Sequence, residues 1–217
     1  MSAAYKQDVA VSNDRFSGSR RLFDELVAKA SSPRLLGAGH QEVEAAIGSN
    51  GVELLRQLLQ DHLDLRHMLE ARVQVRDEEG VRLPERRRAK RGLRSLLGPV
   101  VATRFLYQGE AREGRAPADA GLRLSEDSYS MGVRREVARL CVSEAYAPAI
   151  DTLKRLTGAH VPQRQAEQLV RRAAADVLAF YEQQTPTPVP TEALLVLSFD
   201  AAGIVMRTDS LRDETRK

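Results

Sequence analysis

Cys141 is the one cysteine in 217 residues, which excludes an intrachain disulfide and any zinc ribbon built on cysteines and leaves packing to hold the fold. On an apolar helix face it reads as a core residue. No apolar run approaches the roughly 20 residues of a membrane-spanning helix. Residues 1–16 are polar and lack the apolar core of a signal peptide, so no membrane partner is expected and the cytoplasm is the expected compartment. What is there suits a folded chain: 42% hydrophobic and 29% charged residues can bury a core in one or two domains.

The net charge of +3 hides an uneven distribution. Acidic residues outnumber basic ones over 41–79, whereas 82–115 carries Arg82, Arg86, Arg87, Arg88, Lys90, Arg91, Arg94, Arg104, Arg112 and Arg115 against Glu85, Glu110 and Glu113. Cations at this density can neutralise phosphates and release their counterions, which points to nucleic acid. A solvated, Arg-rich loop that keeps the chain soluble accounts for the same run.

Residues 1–72 read as helical. A short amphipathic helix is expected over 21–30, and Val52, Leu55, Leu59 and Leu63, flanked by Leu54, Leu58, Leu65 and Leu69, mark a long one with Ser49 or Asn50 as N-cap. Its apolar stripe serves either burial within its own domain or a homodimer. His62 and His67, five apart, fall on different faces and do not share a metal. Residues 73–124 change to strands and turns. One hairpin is expected from 73–75 to 81–83 through Asp77-Glu78-Glu79-Gly80, and a second from 93–97 to 100–107 through Gly98-Pro99. The basic run leads into the second hairpin, with Arg104 near Phe105 and Tyr107, and a basic hairpin can lie on a phosphate backbone or enter a groove.

Residues 125–184 predict three helices. The first starts at Ser125 with Glu126 and Asp127, and buries Tyr129, Val133, Val137, Leu140 and Cys141. The second covers 147–156, has Pro148 in its first turn and ends at Thr157-Gly158. The third opens at Pro162 and presents Leu169, Ala173, Val177 and Phe180 to the core. Helix, Gly-containing turn, helix is the order of a helix-turn-helix. In that arrangement Gln163, Arg164, Gln165 and Gln168 face base edges while Arg171 and Arg172 lie near phosphates. The turn is longer than in the tightest such units, and many helix pairs joined by a Gly turn bind nothing.

Thr185-Pro186-Thr187-Pro188-Val189-Pro190 makes 185–192 a stiff linker and a domain boundary. The apolar run 193–199 then reads as a strand that delivers Asp200 to a tight turn, Ala201-Ala202-Gly203, before a second strand at Ile204-Val205-Met206. Taken alone, Asp200 caps the turn.

Arg94-Ser95-Leu96-Leu97-Gly98-Pro99-Val100 with Arg104 and Tyr107, Pro117-Ala118-Asp119, Leu122-Arg123-Leu124, Tyr129-Ser130, Thr157-Gly158, Gln165-Ala166-Glu167, Phe180-Tyr181 and Phe199-Asp200-Ala201-Ala202-Gly203-Ile204-Val205-Met206-Arg207 occur in one collinear order. Over 91–217 this succession resembles ISKra-type insertion-sequence transposases of bacteria. The resemblance implies a DDE-class DNA transposase, nucleoid-associated, with a ribonuclease-H-like catalytic domain that begins at 193–217. It implies that Asp200 is the first of three acids holding two Mg²⁺ ions for in-line phosphoryl transfer. Asp209, Asp213 and Glu214 lie too near Asp200 to be the others, and the family's Lys before the turn Gly is Ala202 here. The expectation is therefore a truncated transposase, without catalysis or bound Mg²⁺ of its own. Its DNA-binding part is retained and recognises element ends through Arg86, Arg87, Arg88, Lys90, Arg91, Arg94, Arg104, Gln163, Arg164, Gln165, Gln168 and Arg171.

Two further readings stand beside it. One is a self-sufficient helix-turn-helix protein that regulates or inhibits transposition. The other is an unstable fragment in which the apolar stub 194–199 exposes strand edges. The expected fold class is α+β, mostly helical: an N-terminal helical region, a β-hairpin region, a helix-turn-helix-like domain and the first hairpin of a ribonuclease-H-like domain.

Overall fold

Ser17–Ala30 (α1) forms a helix four residues longer at its start than the sequence pattern predicts. The reason lies outside the element. Phe16, at the N-cap, offers no side-chain acceptor, and the buried carboxylate of Asp61 supplies one, accepting the Ser19 N–H at 2.9 Å. A helix begun without a local cap is thus completed by its neighbour. The computed structural model describes residues 14–185, and a short 3-10 turn, Asp14–Phe16, precedes α1.

After a single helical turn, Pro33–Leu36 (α2), with Ser32 as N-cap, the chain enters His40–Met68 (α3). At 29 residues it is about 43 Å long. Neither Ser49 nor Asn50 caps it: both side chains turn back to the Ala46 carbonyl in mid-helix. Gly48 and Gly51 are passed without a break, although each weakens a helix by about 1 kcal/mol relative to Ala. The row of half-buried Val43, Ala46, Asn50, Leu54 and Gln57 and buried Asp61 keeps helical spacing through the glycine pair, so packing against α1 continues where local propensity falters. Farther along, Leu63 is buried and Leu59 partly so against the sheet, whereas Val52, Leu55 and Leu58 remain exposed with Phe23 of α1.

Glu85–Ser95 (β1) and Gly98–Gln108 (β2) form an antiparallel hairpin, Ser95 opposite Gly98 and Glu85 opposite Gln108. Leu96 and Leu97 make the connection, Ser95 Oγ bonds both Leu97 N–H and Gly98 O, and Gly98 takes φ +117°. The strand predicted over 93–97 is more than twice as long, because the basic run is itself β1. Leu93, Val100 and Ala102 form the inner face, packed with Leu63 and lined by Leu59, Leu122 and Leu124. The other expected hairpin reduces to one isolated bridge, Arg76 to Arg82, over a turn in which Asp77 Oδ1 accepts the Glu79 and Val81 N–H groups. A short helix, Pro117–Gly121 (α4), follows the hairpin.

Three further helices share a core of Tyr129, Val133, Val137, Leu140, Ala149, Ile150, Leu153, Ala159, Val161, Ala166 and Leu169. Met131–Ser143 (α5) starts six residues later than expected, capped by Ser130 Oγ on the Val133 N–H. Ser125 and Asp127 instead fold a turn onto Tyr129. Tyr146–Thr157 (α6) ends where predicted, at Gly158 in the left-handed region with φ +70°. Gln163–Ala173 (α7) has Pro162 as N-cap. Partly buried Cys141 packs against this core, and burial pushes its thiol pKa up, with Glu144 acting in the same sense.

The predicted third helix is two. The chain divides into compact units after Asp176, and Val177–Gln183 (α8) belongs to the second. Ala173, Val177 and Phe180 are exposed, so the buried face expected for this helix stops at Leu169. Nearly all of the linker 185–192, and the whole of 193–217 with Asp200, lie outside the described residues, so the expected ribonuclease-H-like hairpin does too. The described chain is α+β and mostly helical, with one antiparallel hairpin. None of its helices is long and apolar enough to cross a membrane.

Candidate nucleic-acid interface

Period-two alternation sorts the basic residues of β1 into two groups. Leu93 and Ser95 point inward, and Arg91 lies on their side of the strand. Arg86, Arg88, Lys90 and Arg94 share the opposite side and are exposed.

The inward group is tied to the protein's own carboxylates. Arg91 Nη1 bonds Asp119 Oδ2 at 2.9 Å, and its Nη2 reaches the carbonyls of Ser125 and Asp127. Arg104 comes from the same face of β2 and places Nε 2.5 Å from Asp119 Oδ1. That contact is an ion pair without hydrogen-bond alignment, since Nε, Nη1 and Oδ1 have no hydrogen-bond partner. One carboxylate from α4 thus sits between two guanidiniums with little solvent around any of them. Arg91 and Arg104, expected to face DNA, are held in this cluster instead. Charge count suggested phosphates; the company of Leu93 on the same face of β1 was the signal for burial.

Of the outward group, Arg86 lies over the Phe105 ring, its guanidinium carbon 3.6 Å from the centroid. Arg88 and Lys90 are exposed and make no hydrogen bond or ion pair to a described residue. Arg94 Nη1 bonds the His160 carbonyl at 2.8 Å, which joins the hairpin to the turn between α6 and α7. Arg87, from the inner side of the strand, is exposed near its open end and bonds Gln108 at 2.7 Å.

On α7 the buried positions are Ala166 and Leu169, with Gln165 and Val170 half-buried beside them. The opposite side carries Gln163, Arg164, Gln168 and Arg171, all exposed. Arg164, Gln168 and Arg171, at i, i+4 and i+7, form one row along the helix. Gln163 meets Glu167 only at 3.5 Å, and Arg164, Gln168 and Arg171 have no partner among the described residues. Gln165 is turned partly into the core. Arg172 bonds Asp127 Oδ2 at 3.0 Å, an oxygen that also takes Arg134. Asp127, invisible to sequence reasoning as anything but a helix start, is the anchor for the cations on this side.

His62 is exposed, and His67 turns to Glu70 at 3.3 Å and to the Phe105 ring. No group of three or more His, Cys, Asp or Glu side chains suited to a metal occurs among the described residues. They offer Mg²⁺ no fitting site, and no catalytic step follows from them.

The geometry therefore brings together two separate cationic surfaces, the outer side of β1 and the outer row of α7, linked by Arg94. Comparison with family models, curated proteins and solved structures gives no match for this chain.

Proposed function

We propose that this chain binds duplex DNA, with α7 as the helix that enters the major groove. The observation that carries the reading is the row Arg164, Gln168 and Arg171, with Gln163 at the helix start. These are donors and acceptors suited to purine edges, Arg164, Gln168 and Arg171 without a partner among the described residues and Gln163 meeting only Glu167 at 3.5 Å, on a helix whose other side is buried against α5 and α6. Arg and Gln reach guanine and adenine edges bidentately, and a helix presented by a three-helix unit can carry them there. Arg86, Arg87, Arg88 and Lys90 on β1 supply charge for phosphates. Arg91, Arg104 and Gln165 are not part of this surface.

The finer reading rests on the resemblance over 91–217: the chain is the DNA-binding part of an insertion-sequence transposase of the DDE class, and the bound DNA is an element end. The catalytic assignment of Asp200 and its Mg²⁺ belongs to that reading alone.

The test is binding of the full chain to a labelled duplex carrying the flanking ends of its own gene, against a scrambled duplex, across a salt series. Tighter binding to the ends supports both readings. Equal binding to both duplexes, falling steeply with salt, supports DNA binding without end recognition, and absence of binding to either overturns the proposal.

A further inference from the structure

The two long edges of the hairpin differ. Along β2 the outward backbone groups of Val101 and Tyr107 and the N–H of Phe105 are engaged by the chain itself. Gln60 of α3 clasps Val101 with its side-chain amide, Oε1 taking the N–H at 2.8 Å and Nε2 giving to the carbonyl at 3.0 Å. Glu70 accepts the Phe105 N–H. Tyr107 exchanges both of its groups with Arg115. These bonds also fix which residues of β1 face away from β2. In an antiparallel ladder, residues directly opposite one another are either bonded together or both turned outward. Gly92, Arg88 and Arg86 stand opposite Val101, Phe105 and Tyr107, and Lys90 follows by alternation. At the loop end Arg94 is covered, since its N–H and carbonyl pair with Ser128 and Ser130. At Arg86, Arg88, Lys90 and Gly92 the outward N–H and C=O groups take no hydrogen bond from a described residue, and all four residues are exposed.

We propose that this edge of β1 receives an extended acidic peptide as a third strand. The open stretch spans seven residues, roughly 20 Å at 3.3 Å per residue, and presents four N–H and four C=O groups. A peptide residue that exchanges bonds with Arg86, Arg88 or Lys90 projects its side chain on the same side of the sheet as theirs, where a carboxylate meets a cation at cross-strand distance. The intervening peptide residues fall beside Ala89, beside Arg87, whose Nε bonds the neutral Gln108 side chain, and beside Arg91, whose charge is taken by Asp119. The edge thus selects acidic residues alternating with small apolar ones. A second copy of this chain is the wrong occupant, because antiparallel β1 strands would set Arg and Lys against Arg and Lys. Strand addition of this kind takes its affinity from main-chain bonds and its choice of partner from alternate side chains. The proposal goes beyond DNA binding and stands without it.

The probe is a labelled peptide of about seven residues alternating Glu and Val, matched to the open length. Two further forms carry N-methyl groups, one on every Glu amide and the other on every Val amide, so charge and composition stay equal. Methylation of the Glu amides, which point at β1, is expected to weaken binding at least about tenfold through loss of several main-chain bonds, and methylation of the Val amides to leave it. Amide hydrogen exchange gives an independent readout: the peptide should slow exchange at Arg86, Arg88, Lys90 and Gly92. Lys90→Pro, which removes an outward donor at a position where an edge strand accepts proline, should abolish binding that Lys90→Ala only weakens. Equal affinity of the two methylated forms would overturn the proposal, since charge alone would then hold the peptide. Protection of these amides by a DNA duplex and not by the peptide would overturn it in favour of nucleic acid.

Discussion

The Asp61 carboxylate on α3 accepts the N–H of Ser19, the third residue of α1, at 2.9 Å, and is itself held by Gln57 Nε2 at 2.7 Å. It joins two helices through a cap that neither could make locally. The approach is close: a Cβ at Gly18 would come within 2.9 Å of Gln57 Nε2 and 3.1 Å of Asp61 Oδ1. Asp61→Ala is expected to destabilise the chain by about 1–3 kcal/mol, since a buried N–H loses its acceptor. Asp61→Asn keeps an acceptor for the Ser19 N–H but loses the charge at the helix N-terminus and the second oxygen that takes Gln57 Nε2, so it should cost less than Asp61→Ala. Urea unfolding midpoints check the order; equal costs would show that the cap bond itself contributes little.

Asp119 separates the cations held inside the protein from those on the open side of β1. Asp119→Ala leaves Arg91 and Arg104 facing each other with little solvent, and should destabilise by about 3 kcal/mol, the low end for a buried pair that loses one partner, because each side chain keeps some water contact. Arg88→Ala, on the open side, should stay within about 0.5 kcal/mol of the parent. A denaturation series on the two variants tests this, and similar losses in both would contradict the sorting of β1 into inner and outer residues.

Salt dependence distinguishes the two cationic surfaces. If Arg88 and Lys90 meet phosphates, replacing either with Ala lowers binding to all duplexes alike and reduces the salt slope by about 1. Arg164→Ala or Gln168→Ala should instead cost about 1–3 kcal/mol on the preferred duplex and less on others. Binding unchanged in all four variants would remove both surfaces from the interface.

Acid should loosen the turn at 77–81. Burial alone would raise the Asp77 carboxyl, but the Val81 N–H, Arg112 and the Glu79 N–H outweigh it and hold the group below its ordinary value. Arg56 and Arg139 lower Glu53 and Glu136 in the same way, chiefly through their hydrogen bonds. A carboxyl with a lowered folded pKa adds stability above its unfolded value and loses it as pH falls through the folded one. Stability is therefore expected to drop as pH falls below about 4, and Asp77→Asn should flatten that fall in a plot of Tm against pH. An unaltered acid limb would exclude Asp77 from it.

Where hydrophobic period and turn chemistry agree, the sequence led to the structure. Leu93 and Val100 flank a short loop, Gly158 ends α6, and the spacing of Val133, Val137 and Leu140 places α5 on its core. The misreadings share a cause, a local signal overruled by a distant partner. Gly48 to Gly51 looked like a helix start until α1 supplied packing on both sides of it. Ser125 looked like a cap, yet Asp127 is drawn into a turn held by Arg91, Arg134 and Arg172. The length of β1 was hidden because arginines occupy both sides of the strand, and only Asp119, far along the chain, marks which of them turn inward.

The clasp of Gln60 on Val101 limits how this sheet can extend. With Gln60, Glu70 and Arg115 occupying the β2 side, recruitment has a single direction and a capacity of one. Any strand accepted next to β1 comes to rest on a hairpin whose far side is already taken by its own chain. Val101, Phe105 and Tyr107 are thus already bonded within the chain, which works against copies of this protein stringing their hairpins into a continuous ribbon through β2.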